Sequence, residues 1–543
     1  MTPGRVDLSL QELLAILDRT ASGPLSAPDA QRLRAAIDTL AWLTGELERK
    51  DTTVARLRQY LFGTKTESTS RVIGAAAEPA GAGKGKHKAA RRRHKGHGRH
   101  GAAAYLGAER VAVAHTALAP GVGCPGCERG KLYAQSRPAQ LLRIQGIGPL
   151  RATVWELDRL RCNLCGEMFT AEAPPKVGAE KYDATAASMI GLLKYGCGLP
   201  FNRLERLENS LGIPLPAASQ WEVVQKAAGW LAPAYVELVR QAAQGEVLYN
   251  DDTTMKILGL STPSDHGDHE PQEPQDEQEP TRSGVFTSGI VSTSQGEKIA
   301  LFFTGRQHAG ENLAQVLAQR AAELAAPIQM CDALSRNSPD ALDTVLAHCI
   351  AHARRRFVEV AASFPEDCRH VLETLGKVYL NDAEARQREL SADERLRLHQ
   401  EKSGPLLEQL KRRFVDQLAE HMVEPNSGLG EAIGYTLKHW DRLTLFLRVA
   451  GAPLDNNVCE QALKKAILHR KNSLFYKTQN GARVGDIFMS LIHTAELRKV
   501  NPFDYLVALQ KYGEAVSADP AAWMPWNYTL ARGRLTAGVS SSG

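Results

Sequence analysis

Between Gly245 and Asp332 the apolar residues abandon the helical period that precedes them, and this change limits the available folds more than any other feature of the chain. Strand-like runs at 247–258, 284–291 and 298–304 are joined by turn-forming residues such as Ser294-Gln-Gly-Glu297. A helix is predicted over 311–324 and a further strand over Ile328–Cys331. The acidic, Pro-rich stretch 263–280 interrupts the first hairpin and has too few apolar residues to bury, so it reads as a disordered insert.

Acidic residues mark the ends of these elements. Asp251 and Asp252 follow the run Glu246-Val-Leu-Tyr-Asn250, Asp332 closes Ile328-Gln-Met-Cys331, and Glu460 opens a helix after Pro453-Leu-Asp-Asn-Asn-Val-Cys459. Three strands, a helix and a fourth strand form the core order of an RNase H-like fold, in which such acids converge from distant positions. Three carboxylates brought together can hold two divalent ions, the arrangement that phosphodiester chemistry needs. The predicted catalytic and metal-holding set is Asp251, Asp332 and Glu460 with two Mg²⁺, Mn²⁺ being able to stand in. Neighbouring strand residues face opposite sides, so Asp251 and Asp252 cannot both serve, and spacing does not choose between them. Asp332 could instead be a turn former, and Glu460 part of a capping box with Asn457. Asp332 and Glu460 lie 128 residues apart, which implies a mostly helical insertion over about 353–450.

Leu33, Leu40, Leu47, Val54 and Leu61 recur every seven residues, with Leu43 and Leu57 between them. That is a coiled-coil seam suited to self-association, although a helix packed within its own chain gives the same pattern, and Ala36 and Lys50 interrupt it. The chain's 66 basic and 61 acidic residues nearly cancel, but they are unevenly placed. Lys84–His100 carries eight Lys or Arg, four His and no acid, a phosphate-contacting arm or else a solvated tether. Cys124-Pro-Gly-Cys127 and Cys162-Asn-Leu-Cys165 form two close thiolate pairs suited to one structural, tetrahedral Zn²⁺, and the residues between them can hold a hairpin such as 139–147 with 151–160. The first twenty residues lack a signal-peptide pattern, and no run approaches the roughly 18 apolar residues of a membrane span. The chain therefore reads as cytoplasmic and nucleoid-associated.

Phe201–Leu211, the Gly212-Ile-Pro-Leu-Pro216 break and a helix from Ala217 look like a helix-turn-helix that presents Ser219, Gln220 and Gln225; two packed core helices would look the same. Lys464 lies one turn from Glu460, and His469-Arg470-Lys471-Asn472 extends the basic surface. The expected DNA-contacting residues are Arg91, Arg92, Arg93, Lys95, Arg99, Arg203, Ser219, Gln220, Arg354, Arg355, Lys464, Arg470 and Lys471. His348, Cys349 and His352 also invite a metal reading, but with no further ligand evident, core and DNA-facing roles are preferred.

The predicted organisation is a multidomain α+β protein. It comprises a helical zipper region (1–74), a basic linker (75–100), a zinc-ribbon-like four-cysteine module (101–175), a helix-turn-helix-like region (176–244), an RNase H-like core (245–500) and a C-terminal tail (501–543).

At these residues the chain resembles the DDE transposases of the insertion-sequence-66 family, of the TnpC type. The resemblance runs through Leu61-Phe-Gly-Thr-Lys-Thr-Glu67, His97-Gly-Arg99, the four paired cysteines and Gly198-Leu-Pro200 with Arg203. It continues through Asp251-Asp-Thr253, Cys349-Ile-Ala-His352-Ala-Arg-Arg355, Asp455-Asn-Asn457 with Glu460, Arg470-Lys-Asn-Ser-Leu-Phe475 and Pro525-Trp-Asn527. It departs at Thr66, where Ser is expected, and at Ala333-Leu334, where Gly and an aromatic are expected. The resemblance implies that Asp251 is the first catalytic acid, with Asp332 and Glu460 following. It further implies cleavage at element ends and strand transfer into target DNA. Expected partners are double-stranded DNA (terminal inverted repeats and target), a second copy of the chain, and accessory proteins encoded by the same element. A regulatory DNA binder with a decayed core, or a nuclease that cuts without joining, are the alternatives.

Overall fold

The structure, a computed structural model, describes residues 180–260, 284–294, 297–338 and 342–540, together with short earlier stretches that include 26–31, 119–123, 148–161 and 168–172. The heptad positions from Leu40 onward, the basic arm, the four paired cysteines and the 263–280 insert lie outside the described residues. The chain divides into two compact units, residues 1–78 with 356–376, and residues 79–355 with 377–543. In the first, Ser26 begins a helical turn by accepting from the Asp29 amide. The second carries the sheet and the candidate site.

The sheet has strands β3 (Val247–Thr254), β4 (Phe286–Ser294), β5 (Glu297–Gly305), β6 (Ile328–Cys331) and β7 (Val345–His348), in the order β5-β4-β3-β6-β7. The first three pair antiparallel, whereas β6 and β7 run parallel to β3. Parallel strands covered on both faces read as continuous apolar runs, and β6 is buried along its whole length. The α+β class expected from the sequence is therefore present, with one strand more than the sequence pattern predicted. Strand β7 is only four residues long and has no alternation to announce it. A short antiparallel hairpin pairs β1 (Arg159–Arg161) with β2 (Met168–Thr170), while the 139–147 half of the expected hairpin lies outside the described residues.

Preceding the sheet are helices α1 (Ala184–Gly191), α2 (Phe201–Ser210) and α3 (Ala217–Ala242). Helix α3 buries Val224, Ala227, Leu231, Ala234, Leu238 and Ala242, a stripe of helical period. It is a core helix of 26 residues rather than a short reading helix. Gln220 corrects the sequence reading most directly. Its amide is fully buried and donates to the Phe201 and Leu215 carbonyls, so it ties α2 to α3 and has no face for DNA.

After β5, α4 (Ala309–Leu317) ends well before the predicted position 324. Six helices then separate β7 from the Glu460 helix: α5 (Ile350–Val360), α6 (Pro365–Gln387), α7 (Ala392–Lys402), α8 (Gly404–Ala419), α9 (Gly428–Lys438) and α10 (Trp440–Leu443). Helix α11 (Asn457–Ser473) carries Glu460, and α12 (Gln479–Leu497) follows it.

Helix α12 seals the edge of the sheet. Asp486, Ser490 and Thr494, each one turn after the last, accept the backbone N–H groups of Thr304, Phe302 and Ala300 on β5. An exposed row of unpaired strand amides invites aggregation, and here a helix takes the place of a sixth strand. Among the described residues no helix is long and apolar enough to cross a membrane.

Candidate active site

Asp251 and Asp252 lie side by side in β3, opposite Gly289 and Ser288 of β4, and they have different neighbours. Asp252 is held by His308, whose Nδ1 is 2.8 Å from Oδ2, and by Arg336, whose Nη2 is 3.2 Å from Oδ1. Its side chain is 1% exposed, so it is already neutralised inside the fold. Among the described residues Asp251 has no such cation. Burial first, then the charges of Asp332, Asp252 and Glu460, push its carboxyl up to about 7, against a weaker lowering by the Asp252 amide. Of the two acids that spacing could not separate, Asp251 is the one crowded by the other candidates.

Strand register brings Asp332 to Asp251. The last registered pair of the parallel β3–β6 ladder is Tyr249 with Met330, and each acid lies two residues further along, Asp251 within β3 and Asp332 just past the end of β6. Asp332 is 8% exposed, and its Oδ1 accepts from Asn337 Nδ2 at 2.6 Å and from the Leu334 amide at 3.2 Å. The turn-forming role weighed for Asp332 is thus real, and it loads one oxygen of the carboxylate. Behind it runs a buried amide network: Asn250 Nδ2 and Gln329 Nε2 both donate to the Asn337 carbonyl, and Gln329 Nε2 also donates to Asn250 Oδ1.

Glu460 arrives on α11, which lies across β3 and β4 because Gly289 leaves room. A Cβ at position 289 would come within 2.9 Å of Leu463 Cγ and 3.4 Å of Cys459 Sγ. The entry to the helix is pinned by Asn456, whose Nδ2 donates to the Asn250 carbonyl and whose backbone amide donates to Cys349 Sγ. Asn456, not Asn457, is the N-cap, with no side-chain capping bond, so the capping-box reading of Glu460 is not realised. Instead Glu460 Oε1 is buried without a hydrogen-bond partner among the described residues. Cys349, His352 and Glu460 also bring one ligand atom each within 4.8 Å of one another. The sequence reading set a metal role for Cys349 and His352 aside for want of a further ligand, and the fold supplies one from α11.

The basic residues divide into several groups. Arg203, Lys464 and Lys471 are exposed and Ser219 is half-buried. Arg354 and Arg355 lie on α5. Arg470 Nη1 donates to Thr253 Oγ1 and to Thr254, tying α11 to the end of β3. His469 is not part of a basic surface: it is 1% exposed, stacked between Tyr195 and Tyr476, and pushed down to about 3 by burial and by Lys194, hence neutral. Arg91, Arg92, Arg93, Lys95 and Arg99 lie outside the described residues, as do Cys124, Cys127, Cys162 and Cys165.

Sequence reasoning missed the supporting polar residues Asn250, His308, Gln329, Arg336, Asn337 and Asn456. One signal was available. Asn250 and Gln329 interrupt apolar strand runs, and a buried amide there must find partners.

Residues 181–484 match the family model described as "Transposase IS66 family". Among curated proteins, the chain is similar to three from Sinorhizobium fredii (strain NBRC 101917 / NGR234). It is 27% identical to "Uncharacterized protein y4jD" over 384 residues (68% of this chain, 71% of that one). The match to "Uncharacterized protein y4hP" is 25% over 399 residues (69% and 67%), and to "Uncharacterized protein y4qI" 30% over 186 residues (34% of each).

Proposed function

The chain belongs to the IS66 family of transposases, and from that premise we propose that it cuts DNA at the ends of its mobile element and joins them to target DNA with Asp251, Asp332 and Glu460. What supports this is the condition of Asp251, a carboxyl raised first by burial and then by the charges of Asp332, its neighbour Asp252 and Glu460, two of which come from distant parts of the chain. Like charges gathered in a protein interior are costly unless a cation neutralises them. The donor set fits a hard divalent ion: carboxylate oxygens, one of them, Glu460 Oε1, buried and unpaired. The strand order, three antiparallel strands continued by two parallel ones, supports an RNase H-like core around it.

In this reading Asp251, Asp332 and Glu460 hold two Mg²⁺, with Mn²⁺ as a substitute. When bound, the ions would activate water or a 3′ hydroxyl and stabilise the leaving oxygen. The chain's own part is positioning. Asn337 fixes the orientation of Asp332, the amide network behind it fixes Asn337, and the His308–Asp252–Arg336 cluster anchors the end of β3. Exposed Lys464 and Lys471 on the same helix as Glu460 are suited to hold the phosphate backbone beside the acids.

The remaining parts follow the same reading. The four-cysteine module binds one structural Zn²⁺, the basic arm and Arg203 contact element ends, and the zipper pairs protomers so that two ends meet in the cytoplasm. Asp251→Asn and Asp332→Asn should each abolish cleavage of end-bearing DNA while gel-shift affinity persists. Cleavage at wild-type rates in either variant overturns the assignment.

A further inference from the structure

Cys349 immediately precedes α5 and His352 lies in its first turn, the His352 amide donating to the Cys349 carbonyl at 3.2 Å, so the two residues sit one turn apart. The loop before α11 is docked on this corner: the Ile350 amide donates to the Leu454 carbonyl, and the Asn456 amide donates to Cys349 Sγ at 3.2 Å. Four residues further on, Glu460 completes a thiol, imidazole and carboxylate trio whose ligand atoms all fall within 4.8 Å of one another. Two polar atoms of these residues, His352 Nδ1 and Glu460 Oε1, are buried with no hydrogen-bond partner among the described residues. A buried polar atom without a partner needs an explanation, and two on one trio of potential ligands point to a bound ion.

We propose that Cys349, His352 and Glu460 form a site for a zinc-class divalent cation, distinct from the all-carboxylate set, and that its occupancy withdraws Glu460 from Asp251 and Asp332. Sulfur and nitrogen donors select zinc over magnesium, which takes oxygen ligands. Around one tetrahedral Zn²⁺ the ligand atoms stand about 3.4–3.7 Å apart, so the trio closes on an ion by side-chain rotation of about 1 Å. Binding releases the Cys349 proton to solvent and leaves the fourth position to water. Glu460 belongs to both sets and cannot serve both fully, so zinc acts as a brake on cleavage. The brake rests on the catalytic role proposed for Glu460, whereas the binding site does not.

The test uses the full-length chain, loaded with Zn²⁺ and dialysed, with zinc counted per chain and folding checked by thermal melting. Wild type is expected to retain one zinc per chain more than Cys349→Ser and His352→Asn. The second variant reports on the site should the buried cysteine prove intolerant of change. Asp251→Asn leaves the trio whole and should keep the wild-type count. Equal zinc in wild type and both trio variants overturns the site, whatever the protein does to DNA. In Mg²⁺-supported cleavage, Zn²⁺ should inhibit wild type at concentrations about ten-fold or more below those needed for Cys349→Ser, since even losing a ligand's supporting partner costs that much affinity. Equal zinc sensitivity overturns the brake. A zinc count that falls as expected, with no cleavage by any of the proteins, upholds the site and counts instead against the catalytic reading.

Discussion

Asp251, inside β3, and Asp332, just past the end of the neighbouring parallel strand β6, each lie two residues beyond the Tyr249–Met330 pair. Their closeness is therefore a property of the β3–β6 register, and its electrostatic cost should be measurable without DNA. Burial, then the neighbouring carboxylates, push the Asp251 carboxyl up to about 7, so the fold favours a proton that the unfolded chain releases near pH 4. Stability should then be highest below pH 4 for this group and fall as pH rises toward 7. Asp251→Asn should raise stability at pH 8 by on the order of 1–3 kcal/mol and by much less at pH 4, and Mg²⁺ should stabilise wild type more than the variant at pH 8. Denaturant melts at the two pH values check this; a pH-independent difference contradicts it.

Asn337 holds one oxygen of Asp332 while its backbone carbonyl gathers the Asn250 and Gln329 amides. Asn337→Ala keeps that carbonyl but removes the Nδ2 donor from the buried Asp332 oxygen, and should cost about 1–3 kcal/mol in stability. Cleavage should fall further than stability explains, with end binding unchanged. A variant that cuts normally would show that Asp332 needs no such support.

Gly289 sets how closely α11 approaches the sheet. Gly289→Ala places a methyl within 2.9 Å of Leu463 Cγ, and the overpacking should cost about 1–3 kcal/mol. Because the same contact carries Glu460, cleavage should drop more steeply than DNA binding. Leu463→Ala in the same chain should restore part of the loss, and its failure to do so would separate the crowding from the effect.

The contact between α12 and β5 should be structural alone. Ser490→Ala leaves the buried Phe302 N–H without its acceptor, at about 1–3 kcal/mol, and end binding by the folded fraction should be unchanged. Thermal melts paired with gel shifts distinguish this from a role in DNA recognition.

Much of the sheet region was legible because its signals are local. The alternation in 284–291 and 298–304, Asp332 at the close of β6, and the Asn-Asn pair at the start of the Glu460 helix each fall within a few residues, whereas Asp251 lies inside β3 rather than at its end. What escaped depends on partners far away in sequence. Spacing could not choose between Asp251 and Asp252 because the choice is made by His308 and Arg336. Gln220 looked like a residue for reading DNA until the carbonyls of Phe201 and Leu215 claimed it. His469 sits in a basic run, yet its helical phase turns it inward between two tyrosines. Glu460 as a neighbour of Cys349 and His352 follows only from the docking of the 454–456 loop.

The most direct measurement of the central claim is Mg²⁺-dependent cleavage and strand transfer on labelled DNA bearing the element ends, with wild type beside Glu460→Gln and binding matched by gel shift. The account predicts joined products from wild type and none from the variant at equal binding. Joined products from both proteins at equal rates would contradict it.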